Sequence, residues 1–360
     1  MATPDDDDES RAEPHGAPTP RPTGLWQQRV GAFSTIPELL RQLGTDPQAV
    51  LDAAGCPVEA LADPDARIPY ALCGRLLQAC ARGSGTPHFG LLAGRAWHLA
   101  DLGLVGEMVR HSETLREALE TLVARQHMNS EGGAAFLWVR GGVAELGYAI
   151  YQGGTVGAEQ IYDAVLAGGT NFLRELCGPS WSPSEVLLAH AAPPDARHYR
   201  SVFRVTPHFD AEYCAIRFRE AWMDRPVPGA DRERRRRALE RAGAVKPPLM
   251  QGVYRTLRLQ LLAGGCSGDS VAAALSMHRR TLNRRLQQQG TTFQHCLDQV
   301  RFEVACQLLS TSRLPLDDVA ATLGYASVSP FMRTFRRWSG TTPAQWRRSA
   351  GAPLPERLPH

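Results

Sequence analysis

The sequence is short of several features that would point to other classes of protein. Lysine occurs once, at Lys246, so arginine supplies every other basic residue among the 40; we interpret this as compositional bias and not as adaptation to phosphate. Eight cysteines are scattered without a CxxC pair, which excludes a zinc knuckle and a thioredoxin-type redox site. No run of 18 apolar residues occurs, and the start, MATPDDDDES, is acidic where a secretory signal would be basic. We therefore expect a cytoplasmic protein that stays out of the membrane and holds no metal or cofactor.

Charge is distributed unevenly along the 360 residues. Residues 249–349 contain thirteen arginines and five acidic residues, a net charge of +8, although the whole chain carries only +3. The remainder is therefore acidic, at −5. A basic C-terminal third on an otherwise acidic protein predicts a polyanion as the partner of that third.

Length and composition predict two domains with tails. At 360 residues and 43% hydrophobic content, the chain is too long for one ordinary domain, and most of it can bury a core. Both ends are rich in proline, and the first also holds the acidic run DDDDE, so we expect both to be disordered. The predicted divisions are a disordered tail at 1–24, a first domain at 25–225, a linker at 226–248, a helical domain at 249–349 and a disordered tail at 350–360.

The first predicted domain mixes helices with strands. Residues 112–128 give the clearest amphipathic helix, with Ser112 as its expected N-cap. Residues 134–140 and 143–151 alternate as strands on either side of Gly141-Gly142, which is a hairpin signal. Further patterns predict helices at 36–44, 70–83 and 157–177 and strands at 185–190 and 214–219.

An arginine-rich segment, RERRRR at residues 232–237, lies between two groups of prolines. Two interpretations are open: an arm that binds nucleic acid, or a solvated linker that contains a short charged helix. Charge runs of this kind are most often solvated, so the second interpretation is favoured.

The basic third contains an internal repeat. DSVAAALS at 269–276 aligns with DDVAATLG at 317–324, and six of the eight positions are identical or exchange small residues. With one inserted residue, TLNRRLQQQGTTF at 281–293 aligns with PFMRTFRRWSGTTP at 330–343, and one more insertion aligns the Gly-Thr-Thr of both copies. Each copy predicts a short helix, a tight turn and a second helix, which is the outline of a helix-turn-helix. Residues 293–309 predict a helix that connects the copies.

Helical phase assigns an outward face to the second helix of each copy. The inward residues are Leu282 and Leu286 in the first copy and Phe331, Phe335 and Trp338 in the second. The outward residues are Arg280, Asn283, Arg284 and Gln287 in the first copy and Ser329, Met332, Arg333 and Arg336 in the second. Arginine and asparagine can read guanine and adenine edges through two hydrogen bonds each. The matching phase, the repeat and the local charge together predict DNA binding.

Residues 253–348 resemble the C-terminal DNA-binding domain of the AraC/XylS transcription regulators. The stretch VAATLGYASVSPFMRTFRRWSGTTPAQWR at 319–347 follows that family's pattern over its whole length. Residues 25–225 resemble the arabinose-binding-like effector domain of the ornithine-utilisation-regulator type. That resemblance is carried by HFGLLAGRAWHLADLGLVGEMVRHSETLREAL at 88–119 and FREAWMDRPVPGAD at 218–231. The name of the domain does not imply that arabinose is the ligand.

The resemblance implies both a fold and a function. The implied fold is an α+β N-terminal sensor domain followed by an all-α DNA-binding domain with two helix-turn-helix motifs joined by a connecting helix. The implied function is a sequence-specific transcription regulator at the bacterial nucleoid, an activator by family default, controlled by a small organic effector. The implied partners are double-stranded promoter DNA, RNA polymerase and a second copy of the chain, with the effector-binding residues unknown.

Family base-contact positions can be transferred to the matching residues of this sequence. They fall on Arg280, Asn283 and Arg284 in the first copy and on Val328, Ser329 and Arg333 in the second. With the outward phase added, the predicted DNA-binding residues are Arg280, Asn283, Arg284, Gln287, Val328, Ser329, Arg333, Arg336 and Arg337. One departure is that this chain has His278-Arg279-Arg280 where the family often has Ser-Pro-Arg. The loss of a serine cap and a first-turn proline costs about 1 kcal/mol of local helix stability.

Some other residues carry weaker signals. The spacings of His88, His98, His111 and His127 do not suit metal ligands on one helix face, so surface or packing roles are favoured and no metal site is predicted. Trp138, Tyr148 and Tyr151 alternate along the predicted hairpin. Such residues can line a ligand cavity, but packing on a half-buried strand is the default.

Two functions from other classes compete with a transcription regulator. An alkyl-transfer DNA-repair enzyme fused to a double helix-turn-helix domain needs a four-cysteine zinc site and a reactive cysteine, and the cysteine spacing supplies neither. We therefore expect no enzymatic activity. A non-specific architectural DNA binder would not need base-reading side chains, so Arg280, Asn283 and Arg284 argue against it.

Overall fold

The structure is a computed structural model that describes residues 26–150, 155–243, 249–262, 264–311 and 314–348. The predicted tails at 1–24 and 350–360 lie outside the described residues. The strands are β1 (Gln27–Arg29), β2 (Arg67–Pro69), β3 (Gly133–Arg140), β4 (Val143–Ile150), β5 (Glu185–Leu187) and β6 (Cys214–Arg219). Short 3-10 helices occupy Gly31–Thr35, Val58–Leu61, Leu99–Leu102, Gln126–Met128 and Glu220–Trp222.

An α+β part is followed by an all-helical part, as the sequence predicted. The helices of the first part are α1 (Ile36–Gln42), α2 (Pro47–Ala53), α3 (Tyr70–Gly83), α4 (Phe89–Arg95), α5 (Leu104–Arg110), α6 (Leu115–Arg125), α7 (Ala158–Cys177), α8 (Arg197–Phe203) and α9 (Arg232–Ala242). Those of the second part are α10 (Leu249–Leu262), α11 (Gly268–Ala274), α12 (Arg279–Gln288), α13 (Phe293–Thr311), α14 (Leu316–Thr322), α15 (Val328–Ser339) and α16 (Pro343–Arg348). Within the described ranges, no helix is both long and apolar enough to cross a bilayer.

Four strands form one antiparallel sheet in the order β3-β4-β6-β5, and β1 pairs separately with β2. The predicted hairpin is confirmed, since Arg140 pairs with Val143 across Gly141 and Gly142. These glycines have φ values of +60° and +77°. Two successive residues in the left-handed region suit a type I′ turn, whose twist matches that of the strands, and glycine adopts that region without steric cost.

Helix α7 is the central helix of the first part, with 14 of its 20 residues buried. Helix α4 crosses it at two glycines. A Cβ on Gly90 would lie 2.2 Å from the carbonyl oxygen of Gln160, and one on Gly94 would lie 2.0 Å from that of Ala164. Only glycine lets the two backbones approach so closely, so this crossing depends on both residues.

Helix α6 starts later than the sequence predicted. Its N-cap is Thr114, whose hydroxyl accepts a hydrogen bond from the backbone N–H of Glu117 at 3.3 Å. The prediction that Ser112 caps this helix is wrong, because the buried Ser112 hydroxyl donates to the carbonyl oxygen of Met108 at 3.0 Å. Packing of Ser112 against the preceding helix therefore leaves the cap to the next hydroxyl along the chain.

The arginine-rich segment forms α9, and its arginines face carboxylates of the same chain. Asp231 caps the helix. Arg235 meets Glu117 at 2.9 Å and Arg241 meets Glu107 at 3.0 Å, so α9 is attached to α5 and α6. Further pairs are Arg232–Glu113, Arg234–Asp231, Arg236–Glu233, Arg236–Glu240 and Arg237–Glu233. With these charges matched internally, α9 retains little positive charge for a nucleic acid.

The two parts touch along α10. Arg255 donates to the carbonyl oxygen of Val123 at 2.5 Å, and the Tyr254 and Trp26 rings meet edge to face at 6.5 Å. A small cavity of about 20 Å³ lies in this seam. It is lined by Tyr148, Ala149, Tyr162, Ala189, Glu212, Tyr213 and Cys214 of the first part and by Arg258, Val304 and Leu308 of the second.

Candidate nucleic-acid interface and effector cavity

The first helix-turn-helix is formed by α11 and α12. Ser267 caps α11 by accepting a hydrogen bond from the backbone N–H of Ser270 at 3.1 Å. The turn passes through Ser276, whose φ of +54° lies in the left-handed region. The aligned residue of the second copy, Gly324, has a φ of +74°. The two copies therefore share the geometry of their turn as well as their sequence pattern.

Helix α12 buries two leucines and exposes polar residues on its other side. Leu282 and Leu286 have no solvent-accessible surface. The exposed residues are Arg280, Asn283, Arg284, Arg285, Gln287 and Gln288. His278 precedes the helix and makes no side-chain cap hydrogen bond, in line with the departure noted in the sequence. The structure thus brings together, on one exposed face, the four residues predicted from the first copy.

Helix α15 is built on aromatic rings instead of leucines. Phe331, Phe335 and Trp338 are buried. The exposed residues are Ser329, Met332, Arg333, Arg336 and Arg337. Val328 is half-buried and packs against the core, so it presents only part of its side chain to solvent. The outward face of α15 is therefore less polar than that of α12. All three base-contact positions transferred from the family are exposed on α12, but only two of the three are exposed on α15.

Helix α13 connects the two copies, and its predicted stripe of Leu297, Val300, Val304 and Leu308 is buried. An arginine joins it to each copy. At its start, the Arg279 guanidinium lies 4.8 Å from the centre of the Phe293 ring and 3.6 Å from Asp269. Further along, Arg301 donates to the carbonyl oxygen of Leu323 at 3.0 Å and lies over the Tyr325 ring. These contacts fix α11 and α14 against the same helix.

A cavity of about 110 Å³ lies in the first part, where α3, α6 and α7 meet the sheet. No Asp, Glu, Lys, Arg or His is found among its described lining residues. Those residues are Gln28, Phe33, Tyr70, Cys73, Leu77, Trp97, Leu102, Leu122, Gln126, Asn129, Ser130, Ala135, Leu146, Gly147, Tyr148, Ile161, Ala164, Val165, Leu166, Gly169, Phe172 and Ile216. A concave, mostly apolar site with a few polar groups is typical of small-molecule binding.

The polar residues of this cavity are linked to one another. The Tyr148 hydroxyl lies 3.3 Å from that of Tyr70 and 3.4 Å from that of Ser130. Burial is the main cause that raises the pKa of both tyrosines, so both hydroxyls are neutral at physiological pH. Gln126 also hydrogen-bonds to Tyr148, and the Asn129 side-chain amide, next to Ser130 along the chain, donates to the carbonyl oxygen of Leu102 at 3.3 Å.

Of the three hairpin aromatics, Tyr148 lines the cavity, so the default of plain strand packing does not describe it. Trp138 lies on the opposite face of the sheet, with its ring centre 4.3 Å from that of Phe136 and 5.4 Å from that of Tyr213. Tyr151 lies outside the described residues. Tyr70, Asn129 and Ser130 were not predicted, because the cavity is assembled from segments that are far apart in sequence and share no motif.

Histidines of the first part do not gather at this cavity. His88 stacks on His198, with ring centres 3.9 Å apart. His190 lies 3.0 Å from the buried Asp163 carboxylate, which also accepts a hydrogen bond from Tyr199 at 2.6 Å. Within the described ranges, no group of three or more potential ligands could hold a metal ion. These contacts join α7 to α8 and the loop before it.

Comparison with known proteins gives matches to both parts of the chain. The N-terminal arabinose-binding domain of AraC transcription regulators matches residues 44–227, and a helix-turn-helix domain matches residues 271–349. The HTH-type transcriptional regulator VirS of Mycobacterium tuberculosis is 30% identical over 339 residues, which cover 92% of this chain and 97% of VirS. The ornithine utilization regulator of Pseudomonas aeruginosa is 28% identical over 325 residues, 88% of this chain and 95% of that protein.

A solved structure is also similar. The transcriptional regulator CdpR from Pseudomonas aeruginosa covers 86% of this chain and 98% of its own, at 21% identity and a TM-score of 0.42. The family assignment rests on the sequence matches, because both domains occur in the same order and a relative of 30% identity spans nearly the whole chain. The chain therefore belongs to the AraC family of DNA-binding transcription regulators, with an arabinose-binding-type domain followed by a double helix-turn-helix.

Proposed function

We propose that the protein binds double-stranded promoter DNA in a sequence-specific manner through the outward faces of α12 and α15. The observation that carries this proposal is the repeated helix-turn-helix in which each recognition helix exposes polar residues over a buried apolar face. The proposed contact residues are Arg280, Asn283, Arg284, Gln287, Val328, Ser329, Arg333, Arg336 and Arg337.

Spacing supports simultaneous contact by both helices. Helix α13 has 19 residues, and at about 1.5 Å per residue it spans roughly 28 Å. Adjacent major-groove sites on one face of DNA lie about 34 Å apart. A rigid connector of this length, fixed to both copies by Arg279 and Arg301, suits recognition helices in successive turns of the major groove.

The proposed contacts divide into two kinds. Arg280, Asn283, Arg284 and Arg333 would hydrogen-bond base edges, where a good bidentate pair gives about 1–3 kcal/mol of discrimination. Arg336 and Arg337, one turn further along α15, would contact phosphates, which adds affinity without sequence preference. A non-specific architectural binder would lack the first kind of contact.

The cavity of the first part is the proposed effector site. Tyr148 lines both this cavity and the small cavity in the seam with the second part. A ligand in contact with Tyr148 would therefore displace a side chain that also lines the small cavity beside Arg258 and helix α13. This displacement would shift the position of the helix-turn-helix units and so change DNA affinity. By linkage, operator DNA would change effector affinity by the same factor as the effector changes DNA affinity.

The chain is proposed to have no enzymatic activity of its own. Six of its eight cysteines are buried. The two half-exposed ones are poor nucleophiles, because burial raises the pKa of the Cys177 thiol to about 12 and also raises that of Cys266. A reactive cysteine of a repair enzyme needs the opposite shift, toward the thiolate.

Dimerisation, activation and polymerase contact complete the proposal. A homodimer through residues 25–225 would leave the second part free to bind DNA, since the apolar faces of α12, α13 and α15 are already buried inside it. Among the residues that the structure describes, three large hydrophobic side chains are exposed, and two of them, Val139 and Val156, lie in the first part. A dimer of this kind would place RNA polymerase at the promoter and act as an activator. Sedimentation of the full chain should show a dimer, and a fragment from Leu249 onward should be monomeric.

Selection of bound DNA from a random pool tests sequence-specific binding. The wild type should return one motif with two half-sites. Arg284→Ala should weaken binding to that motif by roughly fivefold or more and relax one base position, as expected for the loss of about 1–3 kcal/mol. Arg41→Ala, an exposed arginine of the first part, is the matched control and should change neither. A wild-type pool with no enriched motif would contradict the proposal and favour an architectural binder.

A further inference from the structure

We infer that the effector cavity takes an uncharged, largely apolar molecule about the size of one ring, with a hydroxyl or carbonyl group bound at the Tyr70–Tyr148 pair. This inference rests on the proposed effector role of the cavity and adds the chemical class of its ligand. Neither the name of the matched domain nor that of the ornithine utilization regulator points to such a ligand.

The absence of Asp, Glu, Lys, Arg and His among the described lining residues excludes charged ligands. An ion that enters this site loses its hydration and meets no opposite charge, and burial of an unpaired charge is strongly unfavourable. Amino acids, phosphates and carboxylates would each bring at least one such charge. The ligand is therefore neutral.

The polar groups that line the cavity are few: the side chains of Gln28, Tyr70, Gln126, Asn129, Ser130 and Tyr148 and the indole N–H of Trp97. Tyr70, Tyr148 and Ser130 form the hydroxyl cluster, and Asn129 adjoins it. The remaining walls are mainly aliphatic and aromatic. A sugar carries a hydroxyl on nearly every carbon, and most of these would be buried without a partner, at a cost of about 1–3 kcal/mol each. The cavity therefore disfavours a sugar in spite of the name of its domain.

Size limits the ligand further. The volume of about 110 Å³ is of the same order as an engineered apolar protein cavity of ~150 Å³ that binds benzene. One ring, or a short branched chain of similar volume, fills such a space. A hydroxyl on that ring can hydrogen-bond to the tyrosine cluster. It displaces no charged group there, and every protein hydroxyl keeps a hydrogen-bond partner.

Calorimetric titration of the full-length protein with four probes tests this inference. The probes are phenol, benzene, L-arabinose and L-ornithine. Phenol should bind more tightly than benzene by roughly five- to tenfold, the value of one net hydrogen bond. L-arabinose and L-ornithine should not bind at millimolar concentration. Binding of either, or failure of phenol to bind, would overturn the assigned class.

Variants locate the binding and identify the polar group. Tyr148→Phe should reduce phenol affinity to that of benzene while benzene affinity stays within about twofold, because only the hydroxyl is removed. Tyr213→Phe, on the opposite face of the sheet, is the matched control and should bind phenol normally. Val165→Phe should fill the cavity and abolish binding of both aromatic probes, with circular dichroism to verify its fold. If phenol binding survives Val165→Phe in a folded protein, or Tyr148→Phe binds phenol as tightly as the wild type does, the assignment is wrong.

DNA affinity is measured separately, with and without saturating phenol. Phenol binding with no change in DNA affinity would contradict the proposed effector role and leave the ligand class intact. Conversely, binding of L-ornithine that is lost in Val165→Phe and alters DNA affinity would overturn the ligand class and leave the effector role intact.

Discussion

The two helix-turn-helix units follow one backbone plan but differ on both faces of their recognition helices. The first is packed on Leu282 and Leu286, the second on three aromatic rings. Outside, α12 exposes six polar residues and no apolar one, whereas α15 has a half-buried Val328 and an exposed Met332 among its arginines. The fold therefore constrains the phase of each helix, while the residues in that phase can diverge. Two copies of one unit can therefore read DNA unequally.

The hydrophobic cores of the two units also differ in the contacts that stabilise them. Phe335 meets the rings of Phe302, Phe331 and Trp346 at centre distances of 5.7, 5.7 and 5.8 Å. Aromatic pairs add about 0.5–1.5 kcal/mol beyond the area they bury. In the first unit, an arginine over Phe293 takes the place of such a cluster. We expect the second unit to be the more stable of the two.

The largest expected effect comes from removal of core side chains. Phe335→Ala should destabilise the second unit by about 3–5 kcal/mol, and Leu286→Ala the first by an amount toward the lower end of about 2–5 kcal/mol. Hydrogen exchange of amides in α12 and α15 measures the two units separately. If the Leu286 variant loses more protection than the Phe335 variant, the second unit does not depend on its aromatic cluster as described.

A smaller effect follows from the turns, where Ser276 and Gly324 share a left-handed backbone. A non-glycine residue in that region costs about 1 kcal/mol or more. Ser276→Gly should therefore stabilise the first unit by up to about 1 kcal/mol, and Gly324→Ser should destabilise the second by a similar amount. A Cβ on Gly324 meets nothing closer than Arg301 at 3.5 Å, so strain and not a clash is tested. Thermal unfolding of both variants gives the values; opposite signs at the two sites support the shared turn, and equal signs would contradict it.

The smallest expected effect separates two neighbouring arginines. Arg279 contacts Phe293 and Asp269, whereas Arg280 is exposed on the outward face. Arg279→Ala should lower stability by about 0.5–1 kcal/mol through the lost cation–π contact and leave base preference unchanged. Arg280→Ala should do the reverse. Thermal unfolding and competition binding on the same two proteins distinguish these outcomes, and a change of base preference in the Arg279 variant would show that the helix phase is misassigned.

Local patterns in the sequence predicted much of this fold. The hairpin at Gly141-Gly142, the long helix before Cys177 and the inward phase of Leu282 and Phe335 all depend on residues close in sequence, and all are present. The cap of α6 was mispredicted because Ser112 is engaged by tertiary packing that no local pattern reveals. The cavity could not be predicted for the same reason, since Tyr70, Ser130 and Tyr148 meet only in three dimensions. The DNA-contact residues remain a prediction.

Base-by-base binding tests unequal reading by the two units most directly. The wild type, Arg280→Ala, Arg284→Ala, Arg333→Ala and Arg336→Ala are titrated with a library of single-base variants of the selected site at one salt concentration. We expect the half-site bound by α12 to carry more sequence information. Arg280→Ala and Arg284→Ala should relax positions in that half, Arg333→Ala should relax one position in the other half, and Arg336→Ala should lower affinity for all sequences alike. Equal information in both half-sites, or an unchanged preference for Arg280→Ala, would contradict unequal reading by the two units.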